Sequence, residues 1–140
     1  MSYLAERRVE EKERRRAEMV DAAEELYAAV GWDDVTMERV AKSARLSRAL
    51  LYVYFRDKND LLLAITERAL LELRERFVAA AAAHPLGIDQ VQAIGRAYVQ
   101  FQQEKPYRFD ACSRFHAHQT AGESADDACA AASDAVMTVI

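Results

Sequence analysis

The feature that most constrains this chain is the segment 36–58, which reads TMERVAKSARLSRALLYVYFRDK. Two short amphipathic stretches are separated by a tight turn near Arg45. The second stretch carries Arg48, Tyr52 and Tyr54 at positions expected to lie on its surface. A helix-turn-helix has this layout, in which one helix braces the DNA backbone and the next enters the major groove. The segment therefore predicts a unit that binds DNA rather than one that catalyses a reaction.

The composition favours an all-α fold. Ala, Leu, Glu and Arg are strong helix formers and dominate the chain, whereas there are only four Gly and two Pro. A length of 140 residues is sufficient for a hydrophobic core. We expect a three-helix head over residues 1–60, followed by an α-helical body over residues 61–140.

The distribution of charge is more informative than the net charge of −4. Residues 36–60 hold six basic side chains against three acidic ones, whereas residues 61–140 hold seven basic against ten acidic ones. A basic head on an acidic body suits a protein that contacts phosphates at one end only.

The two cysteines, Cys112 and Cys129, have neither CxxC nor framework spacing, which fits a reducing compartment and no disulfide. The first residues lack the apolar segment of a secretory signal. The longest apolar run is far shorter than a membrane span. By elimination we expect a cytoplasmic protein without a membrane partner.

Periodicity and capping residues predict four helices in the first part of the chain. A buried stripe ends at Gly31, and the next helix begins after Thr36 and stops at Ala44. Ser47 caps a third helix, and Asp57 caps a fourth that runs to about residue 83, with Asp60 completing a capping box. The stripe of the first helix consists of Met19, Ala22, Ala23, Leu26, Tyr27 and Val30. Inward positions of the third are Leu46, Leu51 and Phe55.

Three further helices are predicted after the break at residues 84–87. The fifth spans about 88–104, and Pro106 begins the sixth, which ends in a turn over 116–122. A seventh covers 123–140 and ends on an apolar run, so we expect further polypeptide beyond Ile140. The buried face predicted for the fifth helix is Val91, Ile94, Tyr98 and Phe101.

Residues 6–18 are almost all charged. One interpretation is a solvated, partly frayed helical lead-in. The other is an arm whose arginines reach backbone phosphates. The sequence leaves both open.

Residues 14–65 resemble the DNA-binding region of the tetracycline-repressor (TetR) family of bacterial regulators. The matching segments are AAEELYAAVG at 22–31, residues 36–44, LSRALLYVYF at 46–55 and DKNDL at 57–61. The resemblance implies a helix-turn-helix head and a ligand-sensing and dimerisation body over 61–140. It also implies a homodimer on a pseudopalindromic operator in double-stranded DNA, usually a repressor released by a small-molecule effector. The effector, the operator and the sign of regulation are not identifiable from the sequence.

Two features depart from the family pattern. The chain ends before residues that can be assigned to the two late helices through which such proteins dimerise, so we expect a truncated body. Arg45 stands where the family usually has a glycine in the left-handed backbone conformation. A residue with a side chain loses on the order of 1 kcal/mol of stability in that conformation. A phosphate contact by Arg45 and a merely tolerated strained turn are both open.

Candidate DNA contacts fall into a positioning set and a reading set. A phosphate fits the helix N-terminus at Thr36, and tyrosine hydroxyls and Lys58 can bind others. Arg48 can bind guanine through O6 and N7, and Ala49 is small enough to approach a thymine methyl. The candidates together are Thr36, Arg45, Ser47, Arg48, Ala49, Tyr52, Tyr54 and Lys58.

Aromatic and apolar side chains of the body are candidates for an effector cavity with a few polar groups. The alternative is that each belongs to an ordinary core. The candidates are Leu70, Phe77, Tyr98, Phe101, Phe109, Phe115, His116 and Met137. Additional polar candidates are Arg108, Arg114 and Gln119.

Other functional classes have weaker support. Cys112 and His116 lie four residues apart and could bind a metal, but one helix supplies only two ligands there. We expect no metal and no other cofactor. The chain has no Gly-rich phosphate loop, HExxH or GxSxG motif, so we expect no enzyme and no catalytic residue. The remaining alternative is a TetR-like adaptor that binds a protein, which the basic and tyrosine residues of 45–58 disfavour.

Overall fold

The computed structural model describes residues 2–120, in which six α-helices are joined by short connections. No strand occurs in that range, so the predicted all-α class is confirmed. The chain divides into two compact units between Leu61 and Leu62. The seventh predicted helix, Cys129 and Met137 lie outside the described residues. The helices are α1 (Tyr3–Val30), α2 (Met37–Ser43), α3 (Arg48–Tyr54), α4 (Lys58–Ala82), α5 (Gly87–Glu104) and α6 (Pro106–Thr120).

The core of the first unit is formed largely by the stripes that the sequence predicts, but Leu26 and Val30 of the α1 stripe are only partly buried. Leu51 and Phe55 are essentially fully buried, whereas Leu46 is only half-buried. Burial of these side chains removes apolar surface from water and holds the three short helices together. The other large contributors are Met19, Val20, Tyr27, Trp32, Val35, Val40 and Leu61.

A glycine ends α1, as predicted. Gly31 has a φ of 81°, a conformation that only glycine adopts without strain. Its backbone N–H donates to the carbonyl of Tyr27 at 2.9 Å. The chain then forms a 3₁₀ turn over Trp32–Asp34, and the rings of Tyr27 and Trp32 lie 5.0 Å apart.

Polar side chains cap the helices that follow. The hydroxyl of Thr36 accepts from the Arg39 N–H at 3.2 Å, and that of Ser47 accepts from the Leu50 N–H at 3.1 Å. At α4, Asp57 Oδ1 accepts from the Asp60 N–H at 3.1 Å. These caps satisfy backbone donors that have no partner within a helix.

The capping box predicted at α4 is only half right. The carboxylate of Asp60 accepts from the backbone N–H of Arg56 at 2.8 Å, one residue before the expected donor, and also from the Arg56 guanidinium. The side-chain hydrogen bond from Arg56 is the main cause that lowers the pKa of Asp60. Arg56 offers the carboxylate its guanidinium as well as its backbone N–H, so Asp60 bonds to residue 56 rather than to the backbone N–H of Asp57.

The turn between α2 and α3 is strained at Arg45, where φ is 58°. We predict that Arg45→Gly raises the free energy of unfolding by on the order of 1 kcal/mol, because glycine adopts this conformation without a Cβ clash. Urea denaturation followed by circular dichroism measures the change. An unchanged or lowered midpoint would contradict the strain. A simultaneous loss of DNA affinity would indicate that Arg45 also contacts phosphate.

The core of the second unit is a cluster of aromatic and aliphatic side chains. Thr66 is fully buried, and its hydroxyl donates to the Leu62 carbonyl at 2.8 Å within α4, with the Ala111 carbonyl 3.4 Å away. This hydroxyl is therefore satisfied inside an apolar environment. The cluster is formed by Ala69, Leu70, Leu73, Phe77, Phe101 and Phe115.

The face predicted as buried on α5 is partly wrong. Val91 is 66% exposed and Tyr98 is 43% exposed. The buried stripe instead runs through Ala93 and Phe101, with Ile94 and Ala97 partly buried beside the cluster. The packed side of α5 is therefore centred on Ala93, Ala97 and Phe101 and leaves Val91 exposed.

The start of α6 is confirmed, and its predicted end is wrong. The helix begins at Pro106, where a missing N–H is harmless. It continues through Thr120, so residues 116–120 are helical rather than part of a turn. No Gly or Pro occurs between Tyr107 and Thr120, and the chain therefore has no local signal that ends the helix earlier.

One carboxylate in the second unit forms ion pairs with three cationic side chains. Glu72 accepts from Arg108 at 2.6 Å, from Lys105 at 2.9 Å and from Arg76 at 3.1 Å, while its side chain is 18% exposed. Arg76 also contacts Glu104 at 2.6 Å. Burial by itself raises the pKa of Glu72, but hydrogen bonds from the three cations outweigh it and lower the pKa. The cluster therefore needs the ionised carboxylate.

Candidate nucleic-acid interface

The outer face of α3 presents the residues predicted to read bases. Ser47, Arg48 and Ala49 are exposed at the start of the helix, and Tyr52 is 44% exposed one turn later. Within residues 2–120, no hydrogen bond or ion pair engages the side chain of Arg48. An exposed guanidinium at this position is available for a base edge or a phosphate.

Sequence reasoning missed Val53, which is 74% exposed on α3. It follows Ala49 by four residues and therefore extends the face of Arg48, Ala49 and Tyr52. An apolar side chain so exposed is available for contact with a thymine methyl or a sugar. The four-residue spacing between Ala49 and Val53 is visible in the sequence and could have predicted that Val53 lies on this face.

Tyr54 differs from Tyr52 in its surroundings. It is half-buried and lines an open groove together with side chains from the N-terminal half of α1. Phe55 is 1% exposed and is the aromatic residue of this segment that belongs to the core. The guanidinium of Arg16 lies 5.3 Å from the centre of the Phe55 ring. Tyr54 therefore lies at the surface, where α1 and the end of α3 meet.

Lys58 has a partner that sequence reasoning did not predict. Its ammonium donates to the backbone carbonyl of Trp32 and lies 4.8 Å from the centre of the Trp32 ring. A cation over an indole ring is an attractive contact. Lys58 thus ties the first residue of α4 to the 3₁₀ turn, and its phosphate contact stays a prediction.

Thr36 and Arg45 occupy the two ends of α2. Both are exposed, Thr36 as the N-terminal cap and Arg45 in the turn after the helix. Lys42 and Arg39 add positive charge along the same helix, and Arg39 donates to the carbonyl of Asp34 at 2.8 Å. The exposed edge of the helix-turn-helix is therefore mainly cationic.

The candidate effector residues of the body have mixed environments. Four of them are buried together in the core cluster, and Phe109 packs partly against it. The ring of Tyr98 lies 5.6 Å from that of Phe109 and 6.4 Å from that of Phe77. His116 is exposed beside Phe115. An effector site at these residues stays a prediction. The four in the cluster are Leu70, Phe77, Phe101 and Phe115.

The remaining polar candidates of the body are held in ion pairs or lie outside the described side chains. Arg108 is bound to Glu72, and Arg114 contacts Asp110 at 2.9 Å. The side chain of Gln119 is not described.

Cys112 has the environment of a structural thiol. Burial raises its pKa to about 11, so the thiol is protonated at neutral pH. The thiolate, which is the nucleophilic form, is therefore scarce at neutral pH. His116, one turn later, is exposed, and no group of three or more potential metal ligands occurs in the described part of the chain.

Comparison with known proteins identifies the first unit. Residues 19–65 match the family described as bacterial regulatory proteins, tetR family. The chain therefore carries a TetR-family DNA-binding domain over residues 19–65. The matched residues include the end of α1, all of α2 and α3, and the first turns of α4.

Curated relatives of this chain are named as regulators. The HTH-type transcriptional regulator BetI of Rhizobium meliloti is 33% identical over 109 residues, which cover 78% of this chain and 54% of BetI. An uncharacterized HTH-type transcriptional regulator of Mycobacterium tuberculosis is 36% identical over 101 residues, which cover 70% of this chain and 43% of that regulator. The chain thus spans about half the length of the curated relatives it matches.

A solved structure supports the fold. A TetR family transcription regulator from Marinobacter aquaeolei has a TM-score of 0.68 and 19% sequence identity, over 93% of this chain and 66% of that one. The helical head and body are therefore shared with a TetR-family protein. None of the helices between residues 2 and 120 combines the length and apolarity needed to cross a membrane.

Proposed function

We propose that this TetR-family chain binds double-stranded DNA through α3 and regulates transcription. The observation that carries the proposal is the outer face of α3, where Arg48, Ala49, Tyr52 and Val53 are all exposed. A guanidinium reads guanine in the major groove, and small or apolar side chains contact thymine methyls. The caps at Thr36 and Ser47 lie at helix N-termini, where backbone N–H groups favour a phosphate.

The partners follow from the family. TetR-family regulators bind DNA and usually dimerise and respond to small-molecule effectors. We therefore propose a homodimer on a pseudopalindromic operator, acting in the cytoplasm as a repressor that an effector releases. A protein-binding adaptor is disfavoured, because such a protein has no need of exposed Arg48 and Tyr52 on the outer face of α3.

The division between reading and positioning gives a sharp test. We predict that Arg48→Ala relaxes discrimination at one base position in each half-site by about 1–3 kcal/mol. Tyr52→Phe removes only a hydroxyl and should weaken binding to all sequences alike, by about 1.5–3 kcal/mol for a hydrogen bond to a charged phosphate. Binding to a randomised operator library measures both effects.

Two outcomes decide this test. Equal losses at every base position for both variants would reject the division of roles. Failure of the unsubstituted chain to select any sequence would reject the proposed function. Lys58→Ala is a poorer positioning variant than Tyr52→Phe, because it also removes the contact with Trp32.

A further inference from the structure

The N-terminal half of α1 forms one wall of an open groove whose other wall is Tyr54 at the end of α3. The groove has a volume of about 490 Å³. It is lined by four cations, one carboxylate, one leucine and the tyrosine, namely Arg7, Arg8, Lys12, Arg15, Glu11, Leu4 and Tyr54. The charged lead-in noted in the sequence is therefore part of a shaped surface.

Charge is segregated around this half of α1. Glu6, Glu10 and Glu13 do not line the groove and lie on the other side of the helix by its 3.6-residue period. Glu11 is neutralised, since its carboxylate contacts Arg14 at 3.1 Å and Arg15 at 3.4 Å. The groove consequently has excess positive charge.

Two of the lining cations have no anionic partner. Among residues 2–120, neither Arg8 nor Lys12 forms an ion pair or a side-chain hydrogen bond, and both are exposed. The guanidinium of Arg7 stacks 5.7 Å from the centre of the Tyr3 ring. These groups are therefore available to an external anion.

The helix that carries the cations is held in place. The hydroxyl of Ser2 caps it by accepting from the Ala5 N–H at 3.3 Å, and Arg14 pairs with Glu18 at 2.7 Å. Arg16 lies over the ring of Phe55, which fixes the helix against the end of α3. An ordered cationic surface loses less conformational entropy on binding than a frayed one.

We propose that this groove binds the phosphate backbone of DNA that flanks the base pairs read by α3. Arg8 and Arg15 are separated along the helix by about 10 Å, at about 1.5 Å per residue. Along a duplex axis the same length spans about three phosphates of one strand, at about 3.4 Å each. Tyr54 belongs to the recognition helix and lines the same groove, so one strand can continue from α3 onto α1. The inference rests on the proposed function and extends its footprint.

The test compares two double variants that remove the same charge. Arg8→Ala/Lys12→Ala alters the groove, and Arg74→Ala/Arg96→Ala removes two exposed arginines from the second unit. The DNA probe is a duplex selected by the chain from a randomised library, prepared as the core site alone and with flanks on both sides. Binding is measured at 50 and 200 mM salt.

We expect the groove variant to bind the flanked duplex more weakly than the unsubstituted chain does. On the core-site duplex the two should have the same affinity. Each lost phosphate contact lowers the salt slope by about 0.9. The loss of both contacts should therefore narrow the difference in affinity between the groove variant and the unsubstituted chain about tenfold over this fourfold rise in salt. The double variant Arg8→Lys/Lys12→Arg keeps both charges and should therefore bind the flanked duplex about as tightly as the unsubstituted chain. Circular dichroism should be unchanged, because the substituted residues are exposed.

The failures are distinguishable. If the groove variant binds both duplexes with unchanged affinity and salt slope, the inference is overturned while α3 can still read DNA. Equal losses in the groove variant and in Arg74→Ala/Arg96→Ala would also overturn it, because only net charge would then matter. If the unsubstituted chain selects no duplex at all, the proposed function fails first.

Discussion

Glu72→Gln is expected to destabilise the second unit by about 3 kcal/mol. The substitution removes the one carboxylate that Arg108, Lys105 and Arg76 share, so all three partly buried cations lose this counter-charge, although Arg76 keeps its contact with Glu104. Removing one partner of a buried ion pair is costly for this reason, whereas exposed pairs contribute little. Once the carboxylate between them is neutral, the three cations also repel one another.

Amide hydrogen exchange on peptides of α5 and α6 measures this loss. About 3 kcal/mol corresponds to faster exchange by about two orders of magnitude at sites that exchange through global opening. Glu75→Gln is the matched control, since Glu75 is exposed on the same helix and should change stability by less than about 0.5 kcal/mol. Equal exchange in the two variants would refute the role of the cluster.

The same cluster predicts a dependence on pH. The pKa of Glu72 is lower in the folded protein than its ordinary value of 4.5. Its contribution to stability is therefore fully present above that ordinary value and is lost as the pH falls through the lowered pKa. Stability of the unsubstituted chain should fall more steeply on acidification than that of Glu72→Gln.

Phe55→Ala is expected to cost about 3–5 kcal/mol and to abolish DNA binding. Phe55 is 1% exposed and lies where α3 ends, so truncation opens a cavity in the small core of the first unit. It also removes the ring that lies below the Arg16 guanidinium. A head of this size has little stability to lose.

Thermal denaturation and DNA binding, measured on the same samples, check this prediction. Val53→Ala is the control, because Val53 lies two residues earlier on α3 but is 74% exposed. It should leave the melting temperature nearly unchanged, although it can alter DNA affinity. If Phe55→Ala melts like Val53→Ala, burial of this ring is not what stabilises the head.

The head was predictable because its signals are local. Gly31, Thr36, Ser47 and Asp57 each act on backbone groups within a few residues, and each occupies the predicted cap. The left-handed turn at Arg45 follows from the family resemblance rather than from its residue type, which disfavours that conformation.

The features that were missed depend on contacts between distant residues. Lys58 meets Trp32 across 26 residues, and Glu72 meets Arg108 across 36. The buried face of α5 is likewise set by its neighbours, which is why exposed Val91 looked as suitable for burial as Ala93. Periodicity reports that a helix has an apolar side, but not where along that side the contact is centred.

The contact between Lys58 and Trp32 has a practical consequence. Trp32 is the chain's single tryptophan, and the cation over its indole is the first residue of α4. Indole fluorescence is sensitive to such a charge, so any displacement of the first turn of α4 should alter the emission. The protein thereby contains its own optical probe, with which a collection of small molecules can be screened without attaching a dye.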